Sequence, residues 1–251
     1  MKIFIVNLKQ SVDRRQKMEK QLHALGLSAE FIEAVDGRLM SDEEKTRVTA
    51  KINYAFLPGE IGCALSHQKI YKQIVDEEID QALILEDDVL IDPLLPEIIE
   101  GIKLSTSTPE ILLLSRVNKF RKKPVASLET GHNIHKTEQA TTAHAYVINV
   151  KASMSLLDKL YPVWMTSDKW SLFEDLSMAR IYSLLPYPVR LSEEAETSTI
   201  NESKGDSELN LKKKQIWNLL MRQRPLRAKI RHRYRRAITP LLHETVNQGK
   251  G

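Results

Sequence analysis

The sequence of 251 residues has a single cysteine, Cys63, and no apolar run long enough to cross a membrane. One cysteine excludes an internal disulfide and a zinc site built from several cysteines. A transmembrane helix needs about 18 or more consecutive apolar residues, and the apolar start at residues 3–6 is also too short for a secretory signal. We therefore expect a cytoplasmic protein.

Acidic residues are nearly absent from the C-terminal part of the chain. Residues 1–208 hold 25 Lys+Arg and 32 Asp+Glu, whereas residues 209–251 hold 12 and 1, so the two parts carry −7 and +11. Apolar residues recur among these bases, and Ile230, Tyr234 and Ile238 share one side of a predicted helix. Such a basic amphipathic segment is typical of a membrane-surface helix.

The binding partner of the basic tail can be interpreted in three ways. We expect residues 209–251 to hold the protein on the inner face of the cytoplasmic membrane as a peripheral protein. A nucleic-acid-binding tail is one alternative, and a helix docked on the acidic part of the chain is the other. An acidic body would repel phosphate everywhere except at the tail, so we do not expect nucleic acid to be the partner.

Predicted strands and helices alternate along residues 1–192, which predicts an α/β fold with a mostly parallel central sheet. We assign residues 1–192 to one catalytic domain, residues 193–208 to an acidic and polar linker, and residues 209–251 to the basic tail. Strands are predicted at residues 2–8, 29–34, 82–85, 111–115 and 143–150, helices at 11–25, 41–49, 60–75, 93–103 and 153–160, and a polar loop at 117–135.

Three consecutive carboxylates follow the apolar strand at residues 82–85. Glu86, Asp87 and Asp88 would lie where the carboxyl end of a parallel strand reaches the edge of the sheet, which is where ligands bind in α/β proteins. Adjacent acids repel one another, so we expect a cation there, and oxygen ligands favour Mg²⁺ or Mn²⁺. Such an ion neutralises the charge of phosphate groups, so we expect a diphosphate substrate. The alternative is a solvated strand end or the first turn of a helix.

Two further segments are predicted to lie beside this site. Asn7 ends the first strand, and Arg14 and Arg15 follow in the first turn of the next helix, a position suited to anions and nucleotides. In residues 59–67, His67 lies on the apolar face of a helix, where a histidine is more often a hydrogen-bonded core residue than a ligand. Ser66 has no partner at useful spacing, so a nucleophilic triad is a weak interpretation.

A third segment, residues 164–175, holds aromatic rings close in sequence to acidic residues, and His144 lies on the strand predicted before it. Flat apolar rings beside carboxylates are suited to a sugar, and one of the carboxylates would act as general base. The alternative is a core edge followed by a helix that Ser171 caps. The candidates are the rings of Trp164 and Trp170 and the acids Asp168, Glu174 and Asp175.

Together these segments resemble glycosyltransferase family 25, the lipopolysaccharide and lipooligosaccharide galactosyltransferases, over residues 1 to about 190. The resemblance implies a GT-A type, Rossmann-like fold and transfer of galactose from UDP-galactose with inversion. It implies that residues 86–88 replace the D-x-D motif, with Glu86 toward the donor sugar and Asp88 on the metal. Many members have Pro-apolar-Asp where this chain has Thr166-Ser167-Asp168, and we match Asp168 to that aspartate.

The expected reaction is a single in-line displacement on a UDP-sugar, with Mn²⁺ or Mg²⁺ at Asp88 and Glu86. Asn7, Arg14, Arg15, Glu86 and Asp87 would bind the donor, and His67, His144, Trp164 and Trp170 would lie on the acceptor side. The acceptor would be a lipid-linked oligosaccharide. The alternatives are a metal-dependent phosphohydrolase and a nucleic-acid-binding protein. We expect deletion of residues 209–251 to abolish membrane association and to spare transfer to a soluble acceptor.

Overall fold

The computed structural model describes residues 1–192 and 207–249. The predicted linker therefore lies outside the described residues, apart from Ser207 and Glu208. The helices are α1 Val12–Ala24, α2 Asp42–Val48, α3 Pro58–Asp76, α4 Leu95–Gly101, α5 Val150–Leu160, α6 Trp170–Asp175, α7 Ser207–Gln223, α8 Leu226–Ala237 and α9 Thr239–Leu242. The strands are β1 Lys2–Asn7, β2 Glu30–Glu33, β3 Gln81–Glu86, β4 Val89–Ile91, β5 Glu110–Leu113, β6 Lys119–Arg121, β7 Ala126–Ser127, β8 Asn133–Gln139, β9 Ala145–Asn149, β10 Arg180–Leu185, β11 Val189–Leu191 and β12 Thr245–Asn247.

The centre of the molecule is a sheet with the strand order β2-β1-β3-β9-β5-β10. β1 pairs parallel with β2 and β3, and β5 pairs parallel with β10. β9 is antiparallel to both of its neighbours, so five of these six strands run in one direction. β8, β6 and β12 extend the sheet beyond β10 with antiparallel pairings. The predicted α/β fold with a mostly parallel centre is confirmed, with β9 as the exception.

The middle residues of β1 and β3 are apolar because both faces of the sheet are covered. Phe4 and Ile84 point to a layer that contains α3 and α5, whereas Ile5 and Leu85 point to a layer that contains α1 and α4. Alternate residues of a strand face opposite sides, so a strand buried on both sides has no polar positions. The buried layers hold the carboxyl ends of β1 and β3 at a fixed separation.

The beginning of α3 is held against the loop that follows β2. A Cβ atom added to Gly62 would lie 2.3 Å from the carbonyl oxygen of Val35, so only glycine permits this approach. Ser66 Oγ accepts a hydrogen bond from the Val35 amide at 2.9 Å and donates one to the Gly62 carbonyl at 2.7 Å. Ser66 thus has a structural role, as expected from the absence of a nucleophilic triad.

The basic C-terminal segment packs on the rest of the protein. β12 pairs antiparallel with β6 and so adds a strand to the sheet. Lys213 of α7 forms an ion pair with Glu60, and Arg235 of α8 binds Asp175 with 2.8 Å between Nη2 and Oδ2. These contacts correspond to the docked-helix alternative. No helix in residues 1–192 or 207–249 is long and apolar enough to cross a membrane.

Candidate active site

The three consecutive carboxylates lie at the edge of the sheet where β1 and β3 end. Glu86 is the last residue of β3, and Asp87 and Asp88 form the turn into β4, which excludes the alternative of a helix start. Asn7 ends the neighbouring strand, and its Nδ2 donates to Asp87 Oδ2 at 2.7 Å. Arg14 Nη1 donates to Asp87 Oδ1 at 3.1 Å and lies 3.4 Å from Asp88 Oδ2. The predicted grouping of these four side chains is present.

Two histidines flank Glu86. His144 Nδ1 lies 2.8 Å from Glu86 Oε2, and His67 Nε2 lies 3.8 Å from Glu86 Oε1. Burial acts to raise the pKa of Glu86, but the hydrogen bond and charge of His144 and the proximity of His67 hold it well below its ordinary value. Glu86 is therefore a stable carboxylate in this site.

Glu86, Asp88 and His144 form a donor set that fits a divalent ion. One ligand atom from each lies within 4.8 Å of the others. Asp88 Oδ1 is buried and has no hydrogen-bond partner among the described residues. Burial, followed by the charge of Glu86, raises the pKa of Asp88 to about 6. A bound cation would pair the free oxygen and offset this repulsion, and carboxylate oxygens with one imidazole suit Mn²⁺.

A second triad of ligand atoms adjoins this set. Cys63, His67 and Glu86 also place one donor atom each within 4.8 Å. Burial, together with the charges of Glu86 and Asp168, raises the pKa of the Cys63 thiol well above its ordinary value. A neutral thiol is a weak ligand, so we assign the cation to Glu86, Asp88 and His144.

Arg15 is directed away from the carboxylates, although it follows Arg14 directly. Its Nε donates to Glu19 Oε1 at 2.9 Å, and its guanidinium lies 4.4 Å from the ring centroid of Phe31. Successive residues of a helix point about 100° apart, so only one of the two arginines reaches the site. Arg15 therefore does not join Arg14 in the cluster that is predicted to bind the donor.

Asp168 is the acidic residue of the third segment that lies near the triplet. Thr166 Oγ1 donates to Asp168 Oδ1 at 2.6 Å, and Lys169 Nζ lies 3.0 Å from the same oxygen. Burial opposes ionisation, but Lys169 and the Thr166 hydrogen bond hold the pKa of Asp168 below its ordinary value. Burial opposes the charged form of His144, but the hydrogen bond and charge of Glu86, followed by the charges of Asp88 and Asp168, raise the pKa of His144. Asp168 is therefore ionised and able to accept a proton.

Glu174 and Asp175 are engaged elsewhere, on the side of the C-terminal helices. Glu174 forms an ion pair with Lys136. The Asp175 side chain is 3% exposed and contacts His232 at 3.0 Å and Arg235 at 2.8 Å. Its carboxylate is engaged by ion pairs with Arg235 and Arg224 that hold the C-terminal segment, so the predicted role of Asp175 as base is wrong. The alternative cap by Ser171 is also absent, because its hydroxyl donates to the Glu138 carbonyl.

The two tryptophans of the third segment do not form a sugar platform at the carboxylates. Trp170 is completely buried between Tyr146 and Phe173, and its Nε1 donates to the Thr142 carbonyl at 2.7 Å. A ring without exposed surface cannot stack on a sugar, so the predicted acceptor contact of Trp170 is wrong and the core interpretation is correct. Trp164 is half-buried, and its Nε1 donates to the Lys159 carbonyl.

Tyr146 belongs to the site, although the sequence analysis does not predict it as a site residue. Its hydroxyl lies 2.7 Å from His67 Nδ1 and 2.8 Å from the Tyr71 hydroxyl. His67 is itself buried, so its contact is with Glu86 rather than with an acceptor. One signal in the sequence could have identified Tyr146: residues 144 and 146 lie two positions apart on an extended segment and therefore share one face.

A model of the family described as Glycosyltransferase family 25 (LPS biosynthesis protein) matches residues 1–171. The chain belongs to glycosyltransferase family 25. This membership agrees with the observed sheet and confirms the expected GT-A type of fold. The matched residues include the carboxylate triplet, His67, His144 and Asp168, whereas Glu174, Asp175 and the C-terminal helices lie beyond them.

Relatives of this family-25 chain include proteins from animals. It is 28% identical over 181 residues to a Glycosyltransferase 25 family member of Drosophila melanogaster, covering 64% of this chain and 29% of that protein. It is 27% identical over 172 residues to human procollagen galactosyltransferase 2, covering 62% and 27%. The chain thus spans less than a third of these relatives. A solved glycosyltransferase involved in glycosylation of the major capsid of PBCV-1 is 15% identical, with a TM-score of 0.32, and the match covers 63% of this chain and 67% of that one.

Proposed function

We propose that this protein transfers galactose from a UDP-sugar to a saccharide of lipopolysaccharide or lipooligosaccharide, with inversion at the anomeric carbon. The observation that carries the proposal is the convergence of Glu86, Asp88 and His144 at the strand edge beside Asn7 and Arg14. The galactosyltransferase names of its relatives support the sugar, and the family description supports the acceptor.

The site separates a donor side from an acceptor side. Asp88, Glu86 and His144 would hold Mn²⁺ or Mg²⁺, which when bound neutralises charge on the diphosphate leaving group. Asn7 and Arg14 fix Asp87 in place and so orient the turn that carries Asp88. Asp168 is the group that we expect to take the proton of the acceptor hydroxyl, because it is ionised and lies next to this cluster.

We further propose that the protein works on the cytoplasmic face of the membrane that carries its lipid-linked acceptor. α8 turns its Arg235 and His232 toward Asp175, whereas Leu226 and Ile230 on other faces are 72% and 56% exposed. This is the reverse of the usual arrangement, in which the apolar side of a helix covers the core. Apolar residues that remain outside among many bases are suited to an anionic lipid surface.

The experiment is to incubate the protein with Mn²⁺ and a panel of UDP-sugars, with lipooligosaccharide as acceptor, and to measure released UDP. We expect acceptor-dependent release with UDP-galactose. Asp88→Asn should lower kcat/KM by about 100-fold or more, because loss of even an outer-shell partner of a metal site typically costs about 10–100-fold. Asp158→Asn is the control, since Asp158 is an exposed residue of α5.

Equal activity of Asp88→Asn and the unchanged protein would defeat the metal assignment. Turnover with a different UDP-sugar would correct the donor and preserve the transferase. Release of inorganic phosphate from simple phosphate esters, without any dependence on an acceptor, would instead favour the phosphohydrolase alternative. Salt-sensitive binding of nucleic acid without turnover of any nucleotide-sugar would favour the remaining one.

A further inference from the structure

The C-terminal helices and the catalytic domain enclose a cavity of about 710 Å³. Natural ligand sites fall in the range of about 300–1,000 Å³, so the cavity is large enough for a saccharide. One stripe of α7, at helical spacing, forms its wall with Asn210, Lys213, Lys214, Trp217 and Met221, and Arg224 follows directly after the helix. The surface that α7 turns toward the catalytic domain is therefore polar and cationic, with two apolar side chains.

The charge of this cavity is strongly positive. Among the described residues, six lysines and arginines line it, with Asp175 as the one carboxylate in the lining. Two of the six, Lys213 and Lys169, are paired with Glu60 and Asp168, so an excess of positive charge remains. Arg235 and Arg224 share that carboxylate, at 2.8 Å and 3.8 Å from Oδ2, so one negative charge serves two guanidinium groups. Lys214 and Arg236 are exposed and have no carboxylate partner among the described residues. Excess positive charge in a concave site attracts an anion.

An aromatic pair stands in the same cavity. The rings of Tyr54 and Trp217 meet edge to face with their centroids 5.5 Å apart, and both rings contribute to the lining. Lys213 Nζ lies 5.1 Å from the Tyr54 centroid. Aromatic faces stack on the C–H faces of sugars, whereas lysine and arginine bind phosphate and carboxylate groups. The combination selects a saccharide that carries negative charge.

The cavity also adjoins the acceptor side of the proposed reaction. Lys169, which lines it, forms an ion pair with Asp168 at 3.0 Å. A ligand held between Tyr54 and Lys169 would thus lie beside the carboxylate that we expect to accept the proton. The residues of the donor side, Asn7 and Arg14, do not line this cavity.

We propose that this cavity binds the acceptor through a phosphate or carboxylate group on the acceptor saccharide. The proposal rests on the proposed glycosyl transfer, and it adds that the acceptor is anionic and that α7 and α8 form part of its site. It also gives the basic tail a second role, since the residues that line the cavity face away from any membrane surface that the outer side of α8 would contact.

The test is a ligand-observed NMR titration of the full chain with glucose 6-phosphate, glucuronate, glucose and inorganic phosphate. We expect at least one of the two charged sugars to bind at least tenfold more tightly than both glucose and inorganic phosphate. The double substitution Lys214→Glu and Arg236→Glu should weaken that binding by about tenfold or more, because it reverses two charges that have no carboxylate partner within residues 1–192 and 207–249. The charged sugar that binds identifies the anionic group.

The matched control is Arg222→Glu with Arg233→Glu, which makes the same change in net charge at exposed positions of α7 and α8 that do not line the cavity. Equal weakening by both double variants, or binding of glucose or phosphate as tight as that of the charged sugars, would overturn the proposal. A titration of UDP with Mn²⁺ reports separately on the proposed function. We expect Asp88→Asn to lose UDP binding and to keep the charged sugar, whereas the cavity variant does the reverse.

Discussion

Tyr146 and His67 form a buried chain that ends beside Glu86. The Tyr146 hydroxyl bridges His67 Nδ1 and the Tyr71 hydroxyl, so one ring nitrogen of His67 is engaged and the other faces Glu86. A hydrogen bond at one imidazole nitrogen orients the ring and determines what the other nitrogen offers. Tyr146 thus orients the His67 ring toward Glu86, while the hydrogen bond with His144 holds the carboxylate itself.

Cys63 allows a prediction about pH at the same site. Burial, together with the charges of Glu86 and Asp168, raises the pKa of its thiol, so the thiol is neutral at pH 8. Alkylation requires the thiolate. We expect iodoacetamide to label the native protein at least about tenfold more slowly than free cysteine, whose pKa is about 8.5. The rate should rise steeply only above pH 9, as followed by mass spectrometry.

Unfolding in urea supplies the control for this experiment, since the exposed thiol should then react at the rate of free cysteine. Cys63 is the single cysteine of the chain, so the labelled mass has one source. Equal labelling rates of the native and unfolded protein at pH 8 would contradict the raised pKa.

At the scale of elements, the start of α3 depends on backbone packing that no larger residue allows. A Cβ at Gly62 would lie 2.3 Å from the Val35 carbonyl oxygen and 2.8 Å from the Gly37 amide nitrogen. We expect Gly62→Ala to lower the free energy of unfolding by about 1–3 kcal/mol or more, because backbone atoms must move apart. Urea denaturation measures this change.

Gly101→Ala is the matched control for that substitution. A Cβ at Gly101, the last residue of α4, would meet the Leu128 side chain at 3.8 Å, which is ordinary contact. Alanine also favours the helix, so its free energy of unfolding should stay the same or rise slightly. A similar loss of stability in both variants would show that the close approach at Gly62 is unimportant.

Asp175 anchors α8, and its substitution provides a second test at this scale. It accepts from Arg235 at two distances, 2.8 Å and 3.2 Å, and lies next to His232. Asp175→Asn removes the charge and leaves the guanidinium group without a carboxylate, which for a buried pair costs about 3–5 kcal/mol. We expect trypsin to cleave at the arginines of α8 much faster than in the unchanged protein, with Asp158→Asn as control.

The central elements could be predicted from the sequence because each has a local signal. Ser41 and Glu44 have the Ser-x-x-Glu spacing of a capping box, and the structure contains this capping box at the start of α2. The unbroken apolar residues of β3 indicated burial on both faces. The pairing of β12 with β6 has no such signal, since it joins residues 124 positions or more apart through a short polar strand. Contacts of this kind depend on tertiary packing.

The candidate site could likewise be predicted only where a local sequence signal exists. Asn7, Arg14 and the carboxylates lie together because parallel strands end at one edge, a rule that sequence patterns can use. The ion pair of Asp175 with the tail follows instead from the docking of α8. It places Arg235 against a carboxylate that the sequence analysis made a candidate for catalysis. Sequence proximity of Asp168 and Asp175 therefore does not mean a shared role.

For the whole molecule, the tail is part of the folded protein as well as a basic segment. It supplies β12 to the sheet, pairs Lys213 with Glu60 and covers Asp175. Deletion of residues 209–251 would remove all of these contacts, so we now expect the deletion to disturb the catalytic domain. Membrane association is better tested by substitutions on the outer side of the tail, where no such contact is lost.

Leu226, Ile230 and Leu241 provide that test, because these side chains are 72%, 56% and 79% exposed. We expect the unchanged protein to co-sediment with phosphatidylglycerol vesicles, and less with phosphatidylcholine vesicles or at high salt, because the headgroup charge attracts the bases. Substitution of all three by serine should lower partitioning by at least about tenfold, since burial of one such side chain is worth about 1.5–3 kcal/mol.

The matched control carries three serines on the catalytic domain, at Leu39, Val125 and Met154, which are 82%, 58% and 47% exposed. It removes a comparable amount of apolar surface and leaves the outer side of the tail intact, so its partitioning should stay unchanged. If the tail variant bound vesicles as tightly as this control, the side chains of Leu226, Ile230 and Leu241 would have no part in membrane binding. If it alone lost binding and kept transfer to a soluble saccharide, the outer side of the tail would serve location, while its inner side lines the cavity beside Asp168.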